Sequence, residues 1–349
     1  MTKVTYYFGA GASAEALPVV NQIPQRIEKT INLLESDEYL LSQTDQFYGL
    51  QINKTKNEIR LALIDDLKWL LEHSKNHASI DTFAKKLYIT DEKQNLARLK
   101  ASFSVYLIIE QAIEQVDNRY DSFFASILSR SATSLPSNLN ILSWNYDFQF
   151  EKAYSAYSKQ KDLKLNQKRL TVITKDSFSR EQEEKIKNIE DKFSIIKING
   201  TSDLLKHDWR SSECFADELA DNFSIPFFEI LLKSYAVLRF SNNDYIRSGL
   251  SFAWESRIND ETQLDIIEEA KKASLNSEIL VVIGYSFPYF NREVDRAIIR
   301  NMRNLKKVYF QDKYPSVLKE RFLSIREDLS MDALLERSDI GQFLIPNEF

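Results

Sequence analysis

Only one cysteine, Cys214, occurs in the 349 residues. That excludes an intramolecular disulfide and any zinc or iron–sulfur site built from several cysteines. Glycine and proline are equally scarce, with 7 of each, so long flexible linkers and collagen-like or low-complexity chains are excluded. No run of about 18 apolar residues occurs, and no membrane span is expected. The opening Met1-Thr2-Lys3-Val4-Thr5-Tyr6 lacks the apolar core of a secretory signal, so the expected location is the cytoplasm. Positive charge is not in excess either. The 46 Lys and Arg stand against 51 Asp and Glu, for a net charge of −5, which argues against a globally basic nucleic-acid binder.

What remains is an ordinary globular composition, 43% hydrophobic and 28% charged. Short apolar runs that read as buried strands recur at Val4–Phe8, Leu139–Leu142, Leu170–Thr174, Phe193–Ile198, Ile279–Ile283 and Val308–Phe310. Helical stretches are predicted between them, near 147–160, 226–239, 252–274, 291–304 and 314–328. Residues 54–130 read as almost wholly helical, with Leu61, Ile64, Leu67, Leu70 and Leu71 at spacings of three and four. Ser79-Ile80-Asp81 is a cap signal within this stretch. Arg180–Lys192 is charged and reads as a solvated helix or loop. The fold expected is α/β, a Rossmann-like and mostly parallel sheet with helices on both faces. It is expected as a single domain over 1–349 with a helical insertion at 54–130.

Four of the strands end in small or polar residues, where open α/β sheets bind ligands. Gly9-Ala10-Gly11-Ala12-Ser13 follows the first strand and reads as a tight turn entering a helix, able to aim backbone amides at a phosphate. The same pattern also serves as a plain strand-to-helix turn, and the dinucleotide fingerprint GxGxxG is broken by Ala14. Ser143-Trp144-Asn145-Tyr146-Asp147 offers an amide and a carboxylate, or equally a turn and a helix cap. Lys197-Ile198-Asn199-Gly200-Thr201-Ser202-Asp203 and Gly284-Tyr285-Ser286-Phe287-Pro288 end two further strands.

Taken in order, GAGAS, SWNYD, KINGTSD and VVIGYSFP resemble the motifs of the bacterial sirtuin-like proteins of anti-phage defence. Ser79-Ile80-Asp81-Thr82-Phe83 and the helix holding Trp254 are similar as well. The resemblance implies NAD⁺ as substrate, its cleavage to nicotinamide and ADP-ribose, and no metal. It implies that Gly9, Ala10, Gly11, Ala12 and Ser13 contact the pyrophosphate. Asn145 would orient water at the nicotinamide ribose, and Asp147 would support that loop. Asn199 and Gly200 occupy the family's His-Gly position. Gly284, Tyr285 and Ser286 would line the adenosine side, and Asp312 would reach the adenine or its ribose. It further implies restraint of a toxic hydrolase by homo-oligomerisation or by a separately encoded sensor or ATPase.

The chain departs from that pattern at two places. One cysteine cannot form the four-cysteine zinc module of sirtuin deacylases, so protein deacylation is disfavoured; Pro18-Val19-Val20-Asn21 also replaces their acidic-aromatic-arginine stretch. Asparagine at 199 cannot titrate as the family histidine does, which keeps open a second reading, a module that binds NAD or ADP-ribose without cleaving it. His207 is read as a loop histidine, the His73/His77 pair as a solvated helix face, and Cys214 as a structural thiol. Trp144, Trp209 and Trp254 are read as core or pocket walls.

Overall fold

The structure, a computed structural model, describes residues 1–175, 186, 188–207, 211–214, 222–240, 247–257 and 265–349. In chain order its elements begin with β1 (Val4–Phe8), α1 (Ile23–Glu35), α2 (Lys56–Asn76), α3 (Ile80–Ile89), α4 (Lys93–Ile113) and α5 (Asn118–Ile127). Next come β2 (Leu139–Ser143), α6 (Gln149–Ser158), α7 (Leu163–Arg169), β3 (Val172–Ile173), β4 (Ser194–Lys197), β5 (Gly200–His207) and β6 (Ser211–Cys214). The last are α8 (Ile225–Phe240), β7 (Arg247–Leu250), α9 (Ile266–Ser274), β8 (Ile279–Ile283), α10 (Arg292–Ile299), β9 (Lys307–Gln311), α11 (Pro315–Leu323) and β10 (Leu334–Arg337). Two compact units divide the chain: Met1–Glu15 with Val116–Gly200 and Phe252–Phe349, and Ala16–Gln115 with Thr201–Ser251.

The first unit holds a seven-stranded sheet in the order β10-β9-β8-β1-β2-β4-β3, parallel at every pairing. Alternation along the strands places apolar side chains on both faces. Tyr7, Leu142, Ile196, Leu280, Val282, Val308 and Phe310 pack on one side with Ala270, Ala273, Ile298, Ile299, Leu318 and Phe322 of α9, α10 and α11. On the other side, Val4, Tyr6, Phe8, Ile141, Ile195, Val281 and Ile283 pack with Phe123, Phe124, Phe150 and Tyr154 of α5 and α6. The expected α/β, Rossmann-like sheet with helices on both faces is thus what forms. Strand order runs outward from β1 in both directions, to β2 on one side and β8 on the other. The carboxyl ends of β1, β2 and β8 therefore flank the topological switch point, where ligands of open α/β sheets bind.

The second unit contains α1–α4 and α8, together with a small sheet in the order β6-β5-β7. The capping signals work locally. Thr55 accepts from the Glu58 amide while Glu58 bonds back to Thr55, a capping box that starts α2, and Ser79 caps α3 as expected. Its polar interior centres on Asp66, which accepts from Arg98, Arg239 and the Tyr235 hydroxyl. His73 lies flat on Phe83, ring centroids 4.1 Å apart. His77 meets the His73 carbonyl through Nδ1.

Several predicted boundaries shift. The GAGAS turn does not enter an α-helix: Ala10–Ser13 is a single 3-10 turn, and α1 begins only at Ile23. The run Leu170–Thr174 shrinks to Val172–Ile173, because Thr171 takes a positive φ of 49° and β3 is an edge strand. The helices expected to reach 304 and 328 stop at Ile299 and Leu323. The short sheet β5–β7 and the edge strand β10 are additions to the sequence reading. Much of the charged stretch before Lys192 and part of the predicted 252–274 helix lie outside the described residues, as do Trp209 and the side chains of His207 and Cys214.

Candidate functional site

Close packing of two loops builds the site. A Cβ placed on Gly9 would stand 2.6 Å from the Gly284 carbonyl oxygen, and one on Gly11 would stand 2.7 Å from the Gly284 Cα. Gly284 itself takes a φ of +61°, the left-handed region that favours glycine. The Gly9 and Gly11 amides donate to Ile283 O and Gly284 O, both at 3.0 Å, and the Ala12 and Ala14 amides donate to Gly9 O and Gly11 O. Most amides of the GAGAS turn thus bond within the protein, and the exposed Ala10 amide is outside these bonds. From the other side, Arg119 Nη2 donates to Ala12 O at 3.0 Å and Gly11 O at 3.3 Å while forming a bidentate pair with Asp117.

Ser13 turns inward and is buried. Its hydroxyl donates to Asp147 Oδ2 at 2.8 Å and accepts from the Tyr120 hydroxyl, 2.8 Å, and Asn145 Nδ2, 3.2 Å. Tyr120 is the donor because the one Ser13 proton already goes to a carboxylate, and burial holds the Tyr120 hydroxyl well above its ordinary pKa. Asn145 Nδ2 also donates to the Gly9 carbonyl at 3.1 Å. A carbonyl can only accept, so this bond fixes which end of the Asn145 amide is nitrogen. Both N–H groups are then used within the protein, and Asn145 Oδ1 has no hydrogen-bond partner among the described residues.

Asn199 is held differently. Its Nδ2 donates to Trp144 O and its Oδ1 accepts from the Ala253 amide, each at 3.0 Å. Both ends of this buried amide tie backbone to backbone, bracing the segment that carries Asn145. Lys197, fully buried on β4, braces the same segment by donating to the Asp147 carbonyl and lying 3.4 Å from Glu151 Oε2. Gly200 begins β5 with a φ of +70°.

On the other face of the sheet, Tyr285 stacks on Trp144, centroids 4.8 Å apart and planes within 12°. Its hydroxyl and that of Tyr7 donate to buried Asp295, at 3.2 and 2.9 Å, and Asn291 donates to the Tyr285 hydroxyl. Burial drives the Asp295 carboxyl up to about 8, against the two tyrosine hydrogen bonds that favour its charge. Ser286 is exposed at the end of β8, and its carbonyl accepts from Arg321. Asp312 follows β9, and its Oδ1 accepts from the Tyr314 amide.

Hydrogen bonding therefore gathers Gly9, Ser13, Asn145 and Asp147 into one cluster. Gly11, Ala12, Gly284 and Tyr285 join it by packing, and Asn199 through Trp144. Ser286 and Asp312 occupy neighbouring strand ends and make no hydrogen bond to that cluster. Sequence reasoning missed Asp117, Arg119, Tyr120 and Glu151, and it placed Lys197 and Asp295 in or beside candidate segments without giving either a role. Only Lys197 carried a local signal, a lysine directly beside a buried isoleucine run. Among the described residues, no group of three or more His, Cys, Asp or Glu could hold a metal ion, and no helix is long and apolar enough to cross a membrane.

No protein-family model matches the sequence, and no curated protein matches it. Solved structures do align. A Sir2 homologue in complex with ADP-ribose aligns at 10% identity and a TM-score of 0.37, covering 93% of this chain and 92% of that one. Sir2Tm bound to a propionylated peptide aligns at 10% identity and a TM-score of 0.38, covering 97% and 87%. At these values the likeness carries no residue-level correspondence.

Proposed function

We propose that this chain binds NAD⁺ and hydrolyses it to nicotinamide and ADP-ribose, as the NAD-depleting effector of an anti-phage defence system. The observation that carries the reading is the Asn145 amide. Its nitrogen is pinned by Gly9 O and Ser13 Oγ, while Oδ1, at the switch point of the sheet, has no partner among the described residues. A free, oriented acceptor is what a nucleophilic water needs. Nicotinamide bound to ribose is already cationic, so the C1′–N bond breaks with its electron pair going to the departing neutral nicotinamide. The water oxygen bonds to C1′ and its surplus proton passes to solvent. Asn145 would accept one hydrogen bond from that water; Ser13 and Asp147 would hold Asn145 in register, a positioning chain rather than an acid–base relay. Homo-oligomerisation and a separately encoded sensor or ATPase partner are proposed as the restraint on this activity, in the cytoplasm.

A second reading is favoured by Asn199. Both ends of its side chain are spent on backbone, and an amide does not titrate, so the chain would hold NAD or ADP-ribose without turning it over. Purified protein is incubated with NAD⁺, alone and with the products of neighbouring genes, while nicotinamide release is followed. The hydrolase reading expects release that falls about 10²-fold or more in Asn145→Ala, with NAD⁺ binding largely kept. Binding without release under every condition establishes the module instead, and unchanged turnover in Asn145→Ala removes the role given to Asn145.

A further inference from the structure

An exposed tyrosine, Tyr289, follows the Gly284-Tyr285-Ser286-Phe287-Pro288 loop, with 70% of its surface accessible. Two guanidinium groups flank it. The Arg292 guanidinium carbon lies 4.5 Å from the ring centroid and that of Arg321 lies 6.0 Å away. Arg321 is also anchored, with Nη1 donating to the Ser286 carbonyl at 2.6 Å. Cation–π contact and this bond order both side chains.

Neither arginine forms an ion pair with a carboxylate among the described residues. Elsewhere, Arg26, Arg98, Arg119, Arg239 and Arg326 are matched by Glu or Asp, whereas Arg60, Arg296 and Arg300 are anchored on backbone carbonyls. What sets Arg292 and Arg321 apart is that both guanidiniums lie against one exposed tyrosine ring, with no carboxylate in ion-pair contact among the described residues, in a chain of net charge −5. Their place adds meaning. Ser286 lies two residues beyond Gly284, which packs directly on Gly11, so the pair borders the switch point. The GAGAS turn, meanwhile, has most of its amides bonded within the protein, so it has few donors with which to balance a diphosphate.

We propose that Arg292 and Arg321, ordered on Tyr289, form the phosphate-recognition element for a nucleoside diphosphate bound at the carboxyl edge of β8. The proposal rests on the NAD reading for the identity of the ligand, but its chemistry is that of the phosphates alone. Guanidinium forks match phosphate oxygens in geometry as well as charge.

Binding of ADP, adenosine and inorganic pyrophosphate is measured by calorimetry for wild type, Arg292→Gln and Arg321→Gln, with circular dichroism confirming the fold. Each substitution is expected to weaken ADP and pyrophosphate about tenfold, leave any adenosine binding unchanged and lessen the salt dependence of ADP affinity. The lysine variants Arg292→Lys and Arg321→Lys should retain part of the affinity. Unchanged ADP affinity in both glutamine variants overturns the proposal, as does equal weakening of adenosine and ADP. Wild type that binds pyrophosphate through these arginines but binds no ADP-ribose leaves the phosphate element standing and defeats the NAD reading. ADP-ribose binding indifferent to both substitutions does the reverse.

Discussion

Gly11 packs against Gly284 so closely that a single added methyl group on Gly11 would lie 2.7 Å from the Gly284 Cα. The glycines after β1 are thus explained by one loop lying on another, without reference to a ligand. Substituting Gly11 is for that reason a poor probe of phosphate binding. Gly11→Ala is expected to destabilise the chain by about 1–3 kcal/mol, the usual result of overpacking. Gly284→Ala should cost more, since it adds a left-handed φ of +61° to contacts with the Gly11 and Ala12 backbone. Chemical denaturation of both variants checks this; wild-type stability in Gly284→Ala would show that the loops part easily.

The strands around β1 were legible because a parallel sheet buried on both faces needs continuous apolar runs, and Val4–Phe8 and Ile279–Ile283 supply them. The cluster at their ends was legible in part, because Asn145, Asp147 and Ser13 sit in short polar segments after strands. What braces them was not. Arg119 and Tyr120 come from a helix that periodicity assigns only an apolar face, and they reach the turn from more than 100 positions away along the chain. Asp295 lies in a surface-like charged sequence, Arg292-Glu293-Val294-Asp295-Arg296, and only the three-dimensional path of α10 buries it. The strand Leu334–Arg337 ends in Glu336 and Arg337, and as an edge strand it has no need of an unbroken apolar run.

Asn199 makes a structural prediction independent of catalysis. Removing its amide leaves the Ala253 N–H and the Trp144 carbonyl without their partner, so Asn199→Ala should lose about 1–3 kcal/mol. Asn199→Asp keeps an acceptor for the Ala253 amide but sets a carboxylate against the Trp144 carbonyl. Its melting temperature should therefore fall further below wild type at pH 7 than at pH 4, where protonation restores a donor. Parallel melting curves at both pH values would refute the bridging role.

Asp295 sets the direction of a pH dependence. Its carboxyl is raised in the folded chain from an ordinary 3.8 to about 8, chiefly by burial. Between those values the folded chain keeps a proton that the unfolded chain releases. The stability from this group is full below pH of about 4, declines as pH rises, and levels off above about 8. Asp295→Asn keeps an acceptor for one of the two tyrosines, turns an NH2 toward the hydroxyl of the other, and cannot titrate. Melting curves from pH 5 to 9 should show a steeper fall in wild type than in Asp295→Asn, by at least ~2 °C. Identical slopes would place the proton elsewhere.

The Lys197–Glu151 pair tests how the Asn145 segment is held. Both side chains are fully buried, and Lys197 Nζ also donates to the Asp147 carbonyl. A buried pair adds little net stability over an apolar replacement, but removing one member strands the other charge. Lys197→Met leaves Glu151 with Gln167, 3.4 Å away, as its hydrogen-bond donor, and is expected to cost about 3–5 kcal/mol. The double variant Lys197→Met with Glu151→Leu should recover much of that loss, because no charge is left stranded. It should not recover function to the same extent: the Asp147 carbonyl still lacks its donor, so the loop presenting Asn145 is less firmly set. Denaturation curves of the two single variants and the double variant, read beside nicotinamide release, separate these effects. A double variant no more stable than Lys197→Met would mean that packing volume, not the stranded carboxylate, sets the cost. Restored stability with fully restored release would show that the lysine does not position Asn145.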